Sequence, residues 1–218
     1  MNRLTREQLA ALAASQLPPR SFVNLGIGFP TLVSDHITEA SGVVTHSENG
    51  ILHIGPRPAP GAEDRDLINA GKTPVTILPG GSYFDTGLSF AMMRGGHLDI
   101  AILGAYQVSA RGDIANWSMG LDGSAPPAVG GAMDLAVGAK SIWVLMEHQT
   151  KEGESRIVEA CTFPLTAVGV VRRIFTDLAV IEVEPEGLVV SRMVDGLSFE
   201  RLQALTAAPL RPAAALAA

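Results

Sequence analysis

The chain has 218 residues, 47% of them hydrophobic, and a formal net charge of −6 at neutral pH. That length and apolar content are enough to bury one core, so a single domain is expected and disorder is not. An acidic balance offers no basic stripe to release counterions, and 5% aromatic residues offer few stacking platforms, so nucleic acid is not the expected partner.

The N-terminus reads as a surface helix. Thr5 with Gln8 three residues on makes a capping box, Leu4 can staple onto Leu9, and Leu9, Leu12, Ala13 and Leu17 mark one face before Pro18-Pro19 stops it. Glu7 and Gln8 interrupt the apolar run a secretory signal would need, and no stretch approaches the length of a membrane span. Ser21 to Leu25 reads as a strand, followed by Gly26-Ile27-Gly28 and a helix from about Pro30. Val43 to Ser47 is the next strand, ending at Glu48-Asn49-Gly50. Pro56 to Lys72 reads as a long surface loop, and Val75 to Leu78 as a third strand leading into Gly80-Gly81.

A helix around Gly87 to Arg94 precedes the apolar run Leu98 to Leu103. After Asp113 comes a Gly- and Pro-rich loop, then Gly130-Gly131 opening a helix from Ala132 to Ala139, then a buried strand from Ile142 to Met146. Ala179 to Val183 and Leu188 to Val194, joined by Glu186-Gly187, read as a hairpin, and a helix from Ser198 to Leu205 closes the domain. The domain is expected to span residues 1–206, with 207–218 an Ala/Pro-rich flexible tail. Continuous apolar strands alternating with helices imply an α/β fold, a mainly parallel open sheet covered by helices, with a late β-hairpin.

Glu48 is the first candidate for chemistry. A carboxylate leaving a buried strand stands where open α/β sheets present their ligand groups. Asn49-Gly50 equally reads as a tight turn with Glu48 a solvated neighbour. Three glycine turns, Gly26-Ile27-Gly28, Gly80-Gly81 and Gly130-Gly131, would let backbone N–H groups approach a ligand closely, although glycine is also the ordinary punctuation of such loops. Glu48 follows Gly28 by 20 residues and imitates a dinucleotide fingerprint, but Thr31 stands where a third Gly is needed and Pro30 occupies the turn.

Cys161 is the lone cysteine, which fits a reduced cytoplasm, and in its apolar run it reads as a small core residue. The five histidines form no ligand-spaced pair, so no metal site is expected. Asp99 and Asp134 read as structural, Asp134 through the first turn of its helix, and Trp117 as either an edge-packing or a site-lining residue.

Several segments carry a resemblance: Asn24-Leu-Gly-Ile-Gly-Phe-Pro-Thr-Leu-Val33, Ser47-Glu-Asn-Gly-Ile-Leu52, Asp66-Leu-Ile-Asn-Ala-Gly-Lys72, Met93-Arg-Gly-Gly-His-Leu-Asp99, Gly112-Asp-Ile-Ala-Asn-Trp117 and Ala128-Val-Gly-Gly-Ala-Met-Asp134. In this order they resemble the beta chain of the class I, two-chain 3-oxoacid CoA-transferases, over about residues 5 to 205. The loop Asn116 to Val129, with Gly120-Leu-Asp-Gly-Ser124, looks closer to the 3-oxoadipate branch than to the acetoacetate branch.

The resemblance implies the CoA-transferase (NagB/RpiA-like) fold and transfer of CoA from succinyl-CoA to a 3-oxo acid, with Glu48 as the covalent nucleophile. It also implies that Ser47, Asn49 and Gly50 hold the Glu48 turn and that Gly130-Gly131 supplies a backbone oxyanion donor. Gly26, Gly28, Gly80 and Gly81 are further candidates for lining the CoA or acyl side. CoA thioester is then substrate, with no tightly bound cofactor. A separate CoA-transferase alpha subunit completes a heterodimer or α2β2 heterotetramer, since 218 residues make about half of a complete enzyme. A thioesterase using the same Glu48 is the rival chemistry. One departure is His53, where the family has Gly; a side chain there could narrow the acyl pocket or point outward.

Overall fold

The apolar run ending at Leu103 shows how the layers form. Ile100 and Ile102 pack into one buried cluster, while Ala101 and Leu103 pack into another. Successive residues of a strand point to opposite faces, so a continuous apolar run is a strand covered on both sides. Trp143 and Leu145 against Ile142 and Val144 repeat the pattern.

The structure, a computed structural model, describes residues 2–120 and 129–216. Its strands are β1 (Phe22–Leu25), β2 (Val44–Ser47), β3 (Ile51–Ile54), β4 (Ile77–Tyr83), β5 (Ile100–Leu103), β6 (Gln107–Ser109), β7 (Ile114–Ala115), β8 (Ser141–Leu145), β9 (Ile157–Val158), β10 (Val171–Phe175), β11 (Ala179–Glu184), β12 (Gly187–Met193) and β13 (Leu210–Pro212). Its α-helices are α1 (Arg6–Ser15), α2 (Thr86–Arg94), α3 (Ala132–Gly138) and α4 (Phe199–Ala204). One ten-stranded sheet runs in the order β13-β12-β11-β10-β8-β5-β1-β2-β3-β4. Its five central strands, β10, β8, β5, β1 and β2, are parallel, and antiparallel hairpins β2–β3–β4 and β10–β11–β12 extend it on both sides.

Helix α1 covers one face through Leu9, Ala10 and Ala13, which pack with Val23, Ile100 and Trp143. Its N-cap is the capping box formed by Thr5 and Gln8. Met93 of α2, Leu135 of α3 and Leu202 of α4 cover the other face, together with the small sheet β7-β6-β9. The mainly parallel α/β sheet and the late hairpin, β11–β12, are therefore as the sequence implies.

Four local readings need correction. The segment after Gly28 is a 3₁₀ helix, Phe29–His36, not an α-helix. The hydroxyls of Thr31 and Ser34 donate to the carbonyls of Gly28 and Thr31, three residues back, and so reinforce the tighter turns. The third strand is longer than expected, lies at the sheet edge and is antiparallel, so Gly80-Gly81 sit inside β4 and not in a strand-to-helix turn. Residues 207–213 are not a loose tail: β13 adds in parallel beside β12, and Ala208 and Leu210 are buried. Strand β10 and the small sheet are absent from the sequence reading, because Val171-Arg-Arg-Ile-Phe175 interrupts its apolar pattern with two arginines.

Candidate active site

Glu48 stands at the tip of the β2–β3 hairpin, where the carboxyl end of a parallel strand turns back. The three-residue loop Glu48-Asn49-Gly50 closes with the Gly50 N–H donating to the Ser47 carbonyl at 3.0 Å. Gly50 has φ +107°, and a Cβ there would run into the Phe84 carbonyl, so only glycine fits. The loop is clamped from outside by the motif at residues 66–72. The Ala70 N–H donates to Ser47 Oγ at 3.0 Å, and Asn49 Nδ2 donates to the Ile68 carbonyl at 2.8 Å.

Beneath the loop lies a buried polar relay. Asn24 Nδ2 donates to His46 Nδ1 at 2.9 Å and to the His46 carbonyl at 3.2 Å. That leaves His46 Nε2–H to donate to Ser89 Oγ at 3.0 Å. Burial lowers the His46 pKa to about 4, so the ring is neutral at pH 7 and serves as a spacer rather than a base. The anchored strand fixes where residue 48 begins.

Opposite the tip is the start of α3. The Gly131 backbone N–H bonds to the Glu48 carboxylate, and a Cβ on residue 131 would collide with that carboxylate. A Cβ on Gly130, which has φ +51°, would stand 3.9 Å from Glu48 Oε1. Burial pushes the Glu48 pKa above its ordinary value; the Gly131 N–H opposes this by favouring the anion, and the negative Asp134 adds to it. Asp134 is itself held by Arg94 at 2.6 Å. The result is a half-buried, incompletely solvated carboxylate with one backbone donor beside it.

Glu48 opens onto a cavity of about 500 Å³ at the carboxyl ends of β1, β5 and β8. Gly26, Gly130 and Gly131 line it with Gly104, Ala105, Asn116 and Met119. Ser47, Asn49 and Gly50 do not reach it and act on the loop instead. Gly28 is exposed at the start of the 3₁₀ helix, and Gly80 and Gly81 belong to the edge strand; none of these three lines the cavity. Residues 121–128, which carry most of the branch-distinguishing loop Asn116 to Val129, lie outside the described residues.

His53 also stands away from the cavity. Its φ is +67°, opposite the irregular stretch of β4, and its Nδ1 donates to the Pro79 carbonyl at 3.1 Å. A left-handed position explains why glycine suits it, so the departure concerns backbone shape. Cys161 is half-buried and its thiol is pushed up to about 11, mainly by burial, which leaves it protonated and inert. Trp117 donates its indole N–H to the Leu165 carbonyl, an edge-packing role.

Four charged or amide side chains of the cavity escape sequence reading: Arg6, Asn116, Glu147 and Arg156. They come from separate parts of the chain, and no local spacing joins them. Asn116 donates to the Gly104 carbonyl and accepts from Thr166 Oγ1, so it stitches the cavity wall. Among the described residues, no group of three or more His, Cys, Asp or Glu side chains is placed to hold a metal, and no helix is long and apolar enough to cross a membrane.

Comparison with known proteins gives a consistent picture. The Coenzyme A transferase family profile matches residues 6–204. The B subunit of the 3-oxoadipate CoA-transferase of Pseudomonas putida is 55% identical over 208 residues, covering 95% of this chain and 97% of that protein. The B subunit of the succinyl-CoA:3-ketoacid coenzyme A transferase of Helicobacter pylori is 45% identical over 203 residues, covering 93% of this chain and 97% of that protein. In structure, the chain resembles the acyl-CoA transferase YdiF of Escherichia coli O157:H7 with a TM-score of 0.74 at 17% identity. The match takes in 98% of this chain but only 42% of YdiF, and at that identity the likeness speaks for the fold.

Proposed function

The chain belongs to the coenzyme A transferase family, and from that premise we propose that it is the beta subunit of an enzyme moving CoA from succinyl-CoA to 3-oxoadipate through Glu48. The observation that carries this reading is the Glu48 carboxylate, held on a clamped hairpin tip, half-buried and beside the Gly131 N–H. The acceptor is taken from the nearer branch, 55% against 45% identity in the two relatives.

Glu48 attacks the thioester carbonyl and expels CoA thiolate, leaving a mixed anhydride between succinate and Glu48. The thiolate then attacks the glutamyl carbonyl, so that succinate leaves and a glutamyl-CoA thioester remains. A carboxylate of the incoming 3-oxoadipate attacks that thioester and gives a new anhydride plus thiolate. Thiolate attack on the 3-oxoadipyl carbonyl releases 3-oxoadipyl-CoA and restores the Glu48 carboxylate. Every acyl exchange is thus split into steps with a good leaving group. Each tetrahedral intermediate places negative charge on an oxygen, and the Gly131 N–H is a donor waiting for it.

Raised basicity favours attack, because the Glu48 anion is poorly solvated and its negative charge passes to the departing CoA thiolate as the neutral anhydride linkage forms. CoA thioester is substrate in this scheme, and no resident cofactor takes part. The partner in this reading is an alpha subunit, because the relatives that the chain matches over nearly their whole length are named B subunits. Ile27, Tyr83, Met119 and Val137 expose 60–75% of their surface and suit an interface with it. A cytoplasmic setting is consistent with the single unpaired cysteine.

The test is two-substrate kinetics of the assembled complex. Varying succinyl-CoA at several 3-oxoadipate concentrations should give parallel double-reciprocal lines, the pattern of a covalent shuttle. Intersecting lines would point to direct transfer in a ternary complex and remove Glu48 from its nucleophilic role.

A further inference from the structure

We propose that Arg156 receives the distal carboxylate of the acyl group and so selects dicarboxylic over monocarboxylic 3-oxo acids; this rests on the transferase reading above. Two guanidinium groups line the Glu48 cavity, and among the described residues only one of them is paired with a carboxylate. Arg6 gives both its Nε, at 3.2 Å, and its Nη2, at 2.7 Å, to Glu147 Oε1. Arg156 has no carboxylate within salt-bridge reach among the described residues. Its Nη1 makes one long contact, 3.4 Å, with the Ala105 carbonyl, and its buried Nε has no hydrogen-bond partner among them.

A buried guanidinium N–H without an acceptor carries a desolvation cost that a folded chain rarely leaves unanswered. The planar fork of donors matches carboxylate and phosphate groups, and the acyl groups of the proposed substrates carry a carboxylate. The backbone of Arg156 is fixed before β9: its N–H donates to the His148 carbonyl at 3.1 Å, and its carbonyl accepts from the Val108 N–H at 2.9 Å. Its head touches Ala105, two residues beyond the end of β5, so it borders the same cavity mouth as Glu48.

The chemistry of the proposed substrates supplies a carboxylate for the guanidinium of Arg156 that lines the cavity. Succinyl and 3-oxoadipyl groups both keep a free carboxylate at the end remote from the thioester, whereas acetoacetyl ends in a methyl group. With Glu48 taking the reacting carbonyl, the remote carboxylate needs a cation elsewhere in the cavity. Among the described residues lining the cavity, Arg6 is paired with Glu147, which leaves Arg156. A site built to pair a substrate charge rejects the analogue lacking it, because its own charge is then left desolvated.

The experiment compares the wild-type complex with Arg156→Gln and Arg156→Lys, using 3-oxoadipate and acetoacetate as acceptors and succinyl-CoA and acetoacetyl-CoA as donors. In a covalent shuttle each kcat/KM reports one half-reaction, independent of the other substrate. Arg156→Gln should lower kcat/KM for 3-oxoadipate and succinyl-CoA by about 10- to 100-fold, the range of a charge-assisted hydrogen bond. It should leave acetoacetate and acetoacetyl-CoA within about 3-fold, on the same scale. Arg156→Lys, which keeps the charge and loses the fork, should fall between, and it carries the test if the Gln variant does not assemble.

Inhibition by glutarate should weaken in parallel, while inhibition by butyrate should not. Equal losses for both acceptors would make Arg156 a structural residue and overturn the proposal. Equal losses for both thioesters with none for either free acid would assign it to a CoA phosphate, which also overturns it. A wild-type complex that transfers CoA to neither acceptor would instead sink the transferase reading. A working wild type whose Arg156 variants keep their dicarboxylate preference would sink only this inference.

Discussion

Strand β5 in the parallel centre buries all four of its residues, whereas β4 in the neighbouring wing leaves Pro79, Gly80, Ser82 and Tyr83 exposed. The centre is specified by apolar filling on two faces. The wing is specified by backbone conformation: Gly50, His53 and Gly80 all have positive φ, and Pro79 and an irregular ladder blunt the open edge. Glu48 sits at the seam, carried by the last parallel strand and turned by the first antiparallel one. The rigid centre thus supplies position, and the wing supplies the turn that presents a carboxylate to the cavity.

Substitutions on the two sides should separate these roles. The largest effect is expected at the seam: Glu48→Gln should cut turnover of the assembled complex by at least about 10⁴-fold, as loss of a covalent nucleophile does. The same change should raise the thermal midpoint at neutral pH. Burial lifts the Glu48 pKa above the unfolded value of 4.5, so the folded state holds that proton more tightly. Stability from this group is greatest below pH 4.5 and falls as the pH rises through the raised folded pKa. An unchanged midpoint would mean that the Gly131 hydrogen bond offsets the desolvation.

Next is Gly131→Ala, whose Cβ would displace the Glu48 carboxylate. The backbone N–H remains, but the misplaced carboxylate should lower kcat by about 10²-fold, with little change in urea midpoint. In the centre the signs reverse. Ile102 is fully buried between the sheet and α1. Ile102→Ala should cost about 2–5 kcal/mol in urea unfolding and leave kcat/KM per folded molecule nearly unchanged.

His53→Gly in the wing should stabilise by about 0.5–1 kcal/mol by relieving a left-handed φ, with no change in acceptor ranking. A changed ranking would return His53 to the acyl pocket. The smallest shift belongs to Asp134→Asn. Removing a negative charge beside Glu48 makes its anion easier to form, so the acid limb of the kcat/KM profile should move to lower pH. A limb that stayed in place would mean that Asp134 is screened by Arg94.

The same contrast explains what could be read from the sequence. The centre was legible because apolar runs such as residues 142–145 have a single sensible placement, and the α1 capping box is a local motif whose geometry follows from its residues. Glu48 was legible as a strand-end acid, and Gly130-Gly131 as a helix opening. The hairpin that turns Glu48 toward Gly131 was not, since pairing β2 with β3 depends on Phe84 closing over Gly50. Gly80-Gly81 misled for the opposite reason: two glycines look the same in a loop and in a bulged edge strand. Arg156 and Glu147 carry no local signal, because their meeting in the cavity is made by the sheet order alone.

The central claim, that Glu48 is a covalent carrier of CoA, is tested most directly by intact-mass and peptide mapping. The assembled complex is incubated with succinyl-CoA and no acceptor, then mapped. A CoA-sized adduct is predicted on the peptide containing Glu48, absent in Glu48→Gln and discharged by 3-oxoadipate. Hydrolysis of succinyl-CoA without any adduct on that peptide would contradict the account and favour a thioesterase.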